Sequence, residues 1–278
     1  MDPAELIRDF GISVSALRPH PGGFESDCWV ADETWFVKRW KQPRTPAGLA
    51  RLDQLRALGL AVVAPVRTVT GELYAVTRGR SYAVFPYVQG RTATTADWRV
   101  TAQALRQVHE LRAPLGLPRA GTAEPEIGEL SRNLDHPWIA DRRDEVVAAV
   151  RRLDGAIARV KAKPVREVLC HTDFGGFNLI LDDAGEVAAI LDWDYAVLGP
   201  REYDVWIAAE GPHINEFLDE YGVHDLDLDH LEYALLARAL RDLAARVLSG
   251  VDRPGVDTWG FDRIARLDAD LEAFRAYS

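Results

Sequence analysis

A polar loop held between apolar strands dominates this sequence. Residues 168–181 read Val-Leu-Cys-His-Thr-Asp-Phe-Gly-Gly-Phe-Asn-Leu-Ile-Leu, with a short apolar strand at each end and polar or small residues between. Asp182-Asp183-Ala184-Gly185 reads as a turn, returning the chain into a third apolar run, 187–191, that stops at Asp192-Trp193-Asp194. Asp173 and Asn178 therefore stand five residues apart on a loop fixed at both ends, and Asp192 follows Asn178 by fourteen. An acid emerging from an apolar strand is costly unless a cation meets it.

Phosphoryl transfer asks for such groups. It needs a carboxylate to orient the attacking hydroxyl and take its proton, which suits Asp173. It also needs oxygen ligands for magnesium on the nucleotide phosphates, which suits Asn178 with Asp192. His171-Thr172-Asp173, Asn178 and Asp192-Trp193-Asp194 together resemble the catalytic core of the aminoglycoside phosphotransferase family, antibiotic phosphotransferases with a protein-kinase-like fold. The resemblance implies a bilobal α+β chain. Residues 1–86 would form a nucleotide-binding lobe on a small antiparallel sheet, and residues 87–278 a larger, mostly helical lobe with the catalytic loop and the acceptor site. It also implies that His171 braces the loop rather than serving as base or metal ligand, and that the nucleotide is ATP, with GTP an alternative. Trp193-Asp194 stands where protein kinases have Phe-Gly, and no Ala-Pro-Glu follows; residues 199–206, Gly-Pro-Arg-Glu-Tyr-Asp-Val-Trp, come at once. That segment is similar to the short one of the small-molecule enzymes, in which the later acid, here Asp204, steadies the catalytic loop. Protein-kinase activity is disfavoured.

Upstream, residues 2–10 fit a short amphipathic helix ending at Gly11. Residues 17–30 read as a strand, a Gly22-Gly23 turn and a returning strand. A glycine pair lets backbone amides approach a phosphate, with the Ser26 hydroxyl as a further donor; a plain hairpin turn explains the same residues. An alternating strand over 34–40 carries Lys38, fifteen residues after Gly23. The chain uses Arg 29 times and Lys only four, so a lysine inside an aromatic strand is out of keeping with its habit. Its position resembles that of the lysine which kinase folds aim at the α- and β-phosphates, against the plainer reading of an edge lysine reaching for solvent. Residues 46–59 then place leucines at 49, 52, 55 and 58, a helical spacing. Kinase folds usually pair the strand lysine with a Glu there. This helix has only Asp53, one methylene shorter, which is either the partner of Lys38 or a surface charge. Strands are expected at 62–69, 73–77 and 82–87, completing a five-stranded antiparallel sheet by about residue 86. Residues 85–91 are similar to the family's interlobe linker, whose backbone around Phe85 and Tyr87 would hydrogen-bond the base; a simple strand exit is the other reading.

Beyond the linker the periodicity becomes helical, over 97–111, over 126–163 with a break near His136-Pro137, from 207 onward including a long helix to 247, and over 261–276. Residues 112–125 and 252–260 are rich in Pro and Gly and read as loops. Eight acids lie between Glu210 and Glu232. They fit solvated helix faces or, since the resemblance puts the acceptor wall here, carboxylates for a polycation. Asp194, Glu210 and Trp206 are the candidate acceptor contacts.

The formal net charge of −10 disfavours nucleic acid and favours a cationic partner. No run approaches the roughly eighteen apolar residues of a membrane span, and no secretory signal is visible. Cys28 and Cys170 fit reduced core thiols, so the cytoplasm is expected, with a monomer or homodimer. The expected activity is transfer of the γ-phosphoryl group to a hydroxyl of a small cationic molecule, an aminoglycoside or basic cyclic peptide antibiotic, conferring resistance. Two alternatives stay open. One is a metabolic kinase of the same fold acting on choline, homoserine, a sugar or a fructosamine; the other is an inactive nucleotide-binding regulatory module, for which the missing helix Glu argues.

Overall fold

The computed structural model describes residues 1–21, 26–43, 45–46, 48–111, 116–122, 125–249 and 258–278. In chain order the elements are α1 (Pro3–Phe10), β1 (Leu17–His20), β2 (Ser26–Ala31), β3 (Trp35–Trp40), α2 (Leu49–Ala57), β4 (Ala75–Thr77), β5 (Arg80–Pro86), β6 (Arg91–Thr92), α3 (Trp98–Glu110) and α4 (Pro125–Arg132). There follow α5 (Arg143–Lys161), β7 (Val168–Cys170), β8 (Leu179–Leu181), β9 (Val187–Ile190), β10 (Val197–Gly199), α6 (Glu202–Ala208), α7 (Ile214–Tyr221), α8 (Leu228–Ser249) and α9 (Trp259–Phe274). They divide into two compact units, each drawn from two stretches of chain: residues 1–116 with 175–196, and residues 117–174 with 197–278.

The first unit is built on an antiparallel sheet in the order β1-β2-β3-β5-β4. α1 covers it, burying Leu6 and Phe10 against Val37, Tyr82 and Val84. Its start is fixed by a capping box, in which Asp2 and Glu5 bond each other's backbone, and by Pro3 at the first helical position; Gly11 ends it in the left-handed conformation. The Tyr82 hydroxyl donates to the Glu5 carbonyl at 3.1 Å and to Asp9 at 2.5 Å, tying helix to sheet. Residues 62–69, expected as a strand, form none. Val66 N–H reaches the Val84 carbonyl and Val69 N–H the Asp9 carbonyl, single bonds without a ladder. A second sheet, β6-β8-β9, completes the unit. Gly90 has φ 147°, and a Cβ there would lie 2.3 Å from the Leu181 carbonyl oxygen, so glycine alone lets the chain enter β6 this close to β8.

The second unit is helical around the β7–β10 pair, in which Cys170 lies opposite Val197 and Val168 opposite Gly199. α8 is its centre, packed against α4, α5, α6 and α9 and burying Leu231, Leu235, Leu236, Leu240 and Leu243. The helical stretch expected over 126–163 is two helices, α4 and α5, parted across His136-Pro137. α6 begins at Glu202, before the expected residue 207. α9 runs antiparallel to α8: Gly260 meets Ala239 and Leu243, whereas Asp268 and Glu232 share Arg152. Among the described residues no helix is long and apolar enough to cross a membrane.

Candidate active site

In the first unit, β3 turns Val37 and Trp40 into the core and sets Lys38 between them, opposite Cys28 of β2 and Ala83 of β5. The Lys38 ammonium donates to Asp192 Oδ1 at 2.8 Å and to Asp194 Oδ2 at 3.3 Å. Burial pulls the Lys38 pKa down, but the two carboxylates outweigh it and hold it above its ordinary value. The β8–β9 hairpin positions the acids. Leu179 lies opposite Ile190, and the Leu191 N–H bonds the Asn178 carbonyl at 2.8 Å, so Asn178 and Asp192 share one end of the hairpin. Asp192 leaves the strand in the left-handed conformation, φ 60°, with its side chain half exposed.

Several expected members of this site stand elsewhere. Asp194, expected to meet the acceptor, has its carboxylate turned onto Lys38 and the Trp40 Nε1–H, at 3.3 Å from each; with most of that side chain buried, a cation and a donor are what stabilise it. Asp53 does not meet Lys38. It pairs with Arg56 at 3.3 Å and Arg67 at 3.4 Å, since one guanidinium reaches it from the next turn of α2 and Asp194 has taken the lysine. Ser26 is buried, 3.6 Å from Cys28 Sγ, so its hydroxyl meets a thiol. Phe85 lies opposite Phe36 in the β3–β5 ladder, and the Tyr87 N–H donates to the Thr34 carbonyl at 2.8 Å, which commits the donor expected to read a base. Gly22 and Gly23 lie outside the described residues.

In the second unit, β7 leads into the loop that carries Asp173. Asp204, fully buried on α6, accepts the N–H of His171 at 2.7 Å and of Thr172 at 2.5 Å. Thr172 is left-handed at φ 71°, a rare state for a β-branched residue, and the buried carboxylate holds it there. His171 is buried; its Nδ1 accepts the Asp173 N–H at 3.3 Å and its ring stands edge-on to Phe174 at 5.7 Å. Burial raises the Cys170 thiol well above its ordinary pKa, with Asp204 and Glu202 adding to the effect, as suits an inert core residue.

Asp173 itself is gripped by a residue that the motif does not contain. Arg238 Nη1 donates to Asp173 Oδ1 at 2.7 Å, and its Nε to Asp242 Oδ1 at 3.0 Å. Burial pulls the Arg238 pKa down, but Asp242 and Asp173 more than offset it. A signal was present in the sequence: Arg238 interrupts Ala234-Leu235-Leu236-Ala237 and Ala239-Leu240, and an arginine on the apolar side of a helix requires an acid. Asp242 stands one turn on.

Of the acids between Glu210 and Glu232, Asp225, Asp227, Asp229 and Glu232 pair with Arg or Lys, while Glu210, Glu216 and Asp219 are exposed. Glu232 bonds Arg152 at 2.5 Å and also Arg159. Asp229 bonds Arg159 at 2.6 Å and Lys163 at 2.5 Å, Asp227 bonds Lys163 at 2.9 Å, and Asp225 bonds Arg201 at 2.5 Å. Cations on and just beyond α5 thus neutralise the start of α8. Glu210 lies 3.8 Å from Arg266, and Trp206 is buried, with the Arg263 guanidinium 4.6 Å above its ring. Glu210 thus stays about half exposed, whereas the Trp206 ring is enclosed.

A family model described as "Phosphotransferase enzyme family" matches residues 16–236. None of the curated proteins searched matches the chain. Solved structures do. The spectinomycin phosphotransferase APH(9)-Ia in complex with ADP and spectinomycin is 20% identical with a TM-score of 0.74, over 99% of this chain and 97% of that one. The GDP and kanamycin complex of APH(2")-IIia is 16% identical with a TM-score of 0.68, over 96% and 97%. A thermostable mutant of the aminoglycoside phosphotransferase APH(4)-Ia, with AMP-PNP and hygromycin B, is 18% identical with a TM-score of 0.67, over 98% of each chain. At these identities the likeness establishes the fold, the α+β protein-kinase-like one.

Proposed function

The chain belongs to the phosphotransferase enzyme family, and on that premise we propose that it transfers the γ-phosphoryl group of ATP or GTP to a hydroxyl of a small molecule. One observation carries the reading: Lys38 bridges Asp192 and Asp194 at the end of the hairpin that also bears Asn178. The Asn178 amide oxygen and the half-exposed Asp192 carboxylate are hard oxygen donors, the set that magnesium takes. Magnesium, when bound there, supplies positive charge to the nucleotide phosphate oxygens. Lys38 holds the phosphates, released from part of its pairing with the two acids.

In the reaction the hydroxyl oxygen bonds to the γ-phosphorus, the bond from that phosphorus to the β–γ bridging oxygen breaks, and the nucleoside diphosphate leaves. The hydroxyl proton passes to the Asp173 carboxylate. Arg238 orients that carboxylate, and Asp204 with His171 sets the backbone from which it projects. The acceptor is an antibiotic on this reading, supported by the spectinomycin, kanamycin and hygromycin B bound by proteins of like fold. Asp227, Asp229 and Glu232 are paired with Lys163, Arg159 and Arg152, so a cationic acceptor would have to use the exposed Glu210, Glu216 and Asp219; a metabolic hydroxyl compound is the second reading. Purified protein is to be screened with antibiotics and metabolites for stimulated nucleotide turnover, and the expressed gene for resistance in a sensitive bacterium. Asp192→Ala should lower turnover by at least about a hundredfold; near-normal activity of that variant with magnesium present overturns the assignment.

A further inference from the structure

α9 approaches α8 closely at Gly260, where a Cβ would lie 2.5 Å from the Ala239 carbonyl oxygen and 2.6 Å from Leu243 Cγ. Arg263, one turn on, shares the buried face of α9 with Gly260 and Leu267. Only 8% of it is exposed, and its guanidinium lies 4.6 Å above the buried Trp206 ring. Among the described residues no oxygen hydrogen-bonds or ion-pairs with it.

The charged groups coupled to Arg263 include Glu210, Asp242, Arg238, Arg266 and Asp270. Four of them have other ion pairs: Asp242 with Arg238 at 3.0 Å, Arg238 with Asp173 at 2.7 Å, and Arg266 with Glu210 at 3.8 Å. Arg263 makes no ion pair of its own among the described residues, and it is coupled through Asp242 and Arg238 to the carboxylate that receives the proton. Burial pushes its pKa below the ordinary value, the direction for a cation with too little compensation. Stacking on indole recovers part of the lost hydration. Five N–H donors in a planar fork remain, and such a fork matches the paired oxygens of a carboxylate or a phosphate.

We propose that Arg263, on its Trp206 platform, is a subsite for an anionic oxygen group of the molecule on which Asp173 acts. This rests on the phosphotransfer reading and deepens it. The anion is either a carboxylate carried by the acceptor or the phosphoryl group that the acceptor has just received. A hydroxy acid or zwitterion then suits the site better than a polyamine.

The test is binding, without turnover. Inorganic phosphate and glycerate are titrated separately, at constant ionic strength, into the full chain, the Arg263→Gln variant and the Arg263→Lys variant, with the thermal midpoint as the readout. The wild type should gain stability with ligand concentration, and Arg263→Gln should lose at least about four-fifths of that gain. Arg263→Lys, which keeps the charge without the fork, should fall between and serves as the decisive variant if the glutamine does not fold. Stabilisation by both anions assigns the subsite to an acceptor carboxylate; stabilisation by phosphate alone assigns it to the transferred group. No gain in the wild type, or an equal gain in wild type and variants, overturns the proposal. Such a failure leaves phosphotransfer standing, since that reading falls only to the turnover of Asp192→Ala.

Discussion

Replacing Asp204 by Ala removes the acceptor of the buried His171 N–H and the half-buried Thr172 N–H. Hydrogen bonds to a charged group contribute about 1.5–3 kcal/mol each, so their loss costs roughly 3–6 kcal/mol. Thr172 adds to the effect. A β-branched residue held at φ 71° stores about 1–3 kcal/mol of strain, and without the carboxylate the loop is free to release it by moving. Movement of about 1 Å at Asp173 is enough to lower turnover roughly a hundredfold. The expected outcome for Asp204→Ala is thus a urea midpoint shifted by several kcal/mol of stability, hydrogen exchange accelerated at the His171 and Thr172 amides, and turnover lost beyond what unfolding explains. Asp204→Asn should show most of the same loss, because its amide presents one oxygen and one donor to two donors. Adding Thr172→Gly to Asp204→Ala should return about 1 kcal/mol of stability without returning activity. Stability within about 1 kcal/mol of wild type, with unchanged protection of those two amides, would refute the reasoning.

Hydrogen bonds from Arg91, at 2.7 Å each, and from Thr94 hold the Asp97 carboxyl well below the usual carboxylate range. A depressed folded pKa means that the stabilisation is present above the unfolded value and is lost as pH falls through the folded one. Asp97→Asn should therefore cost about 1–2 kcal/mol at neutral pH, with the gap to wild type narrowing below about pH 4; a pH-independent gap contradicts this. Gly260→Ala should destabilise by about 1–3 kcal/mol despite its better helix propensity, because its Cβ meets the Ala239 carbonyl; thermal melts that show a gain would disprove so close a helix contact. Asp194→Asn leaves Lys38 with Asp192 alone and should raise the KM for nucleotide about tenfold with the fold intact, so an unchanged KM would deny Asp194 any part in aiming the lysine.

What the sequence determined by itself is local. Apolar runs on both sides of His171-Thr172-Asp173 and Asn178 predicted the loop and its hairpin, and the leucines of α8 marked its buried face, because side-chain period and turn residues are encoded within a few positions. Residues 62–69 show where that ends. Their β-branched run has strand propensity, yet only isolated hydrogen bonds reach it, and a strand exists only where a neighbouring edge pairs with it. Ion pairing lay further out of reach. Lys38 is closed by Asp194, 156 residues on, rather than by Asp53 on the next helix; Asp173 is gripped by Arg238, 65 residues on; and the acids of α8 are neutralised by Arg152, Arg159 and Lys163. A charge binds whichever opposite charge the packed chain brings within about 4 Å in a desolvated place. That distance follows from helix crossings such as Gly260 on α8, and no spacing along the chain contains it.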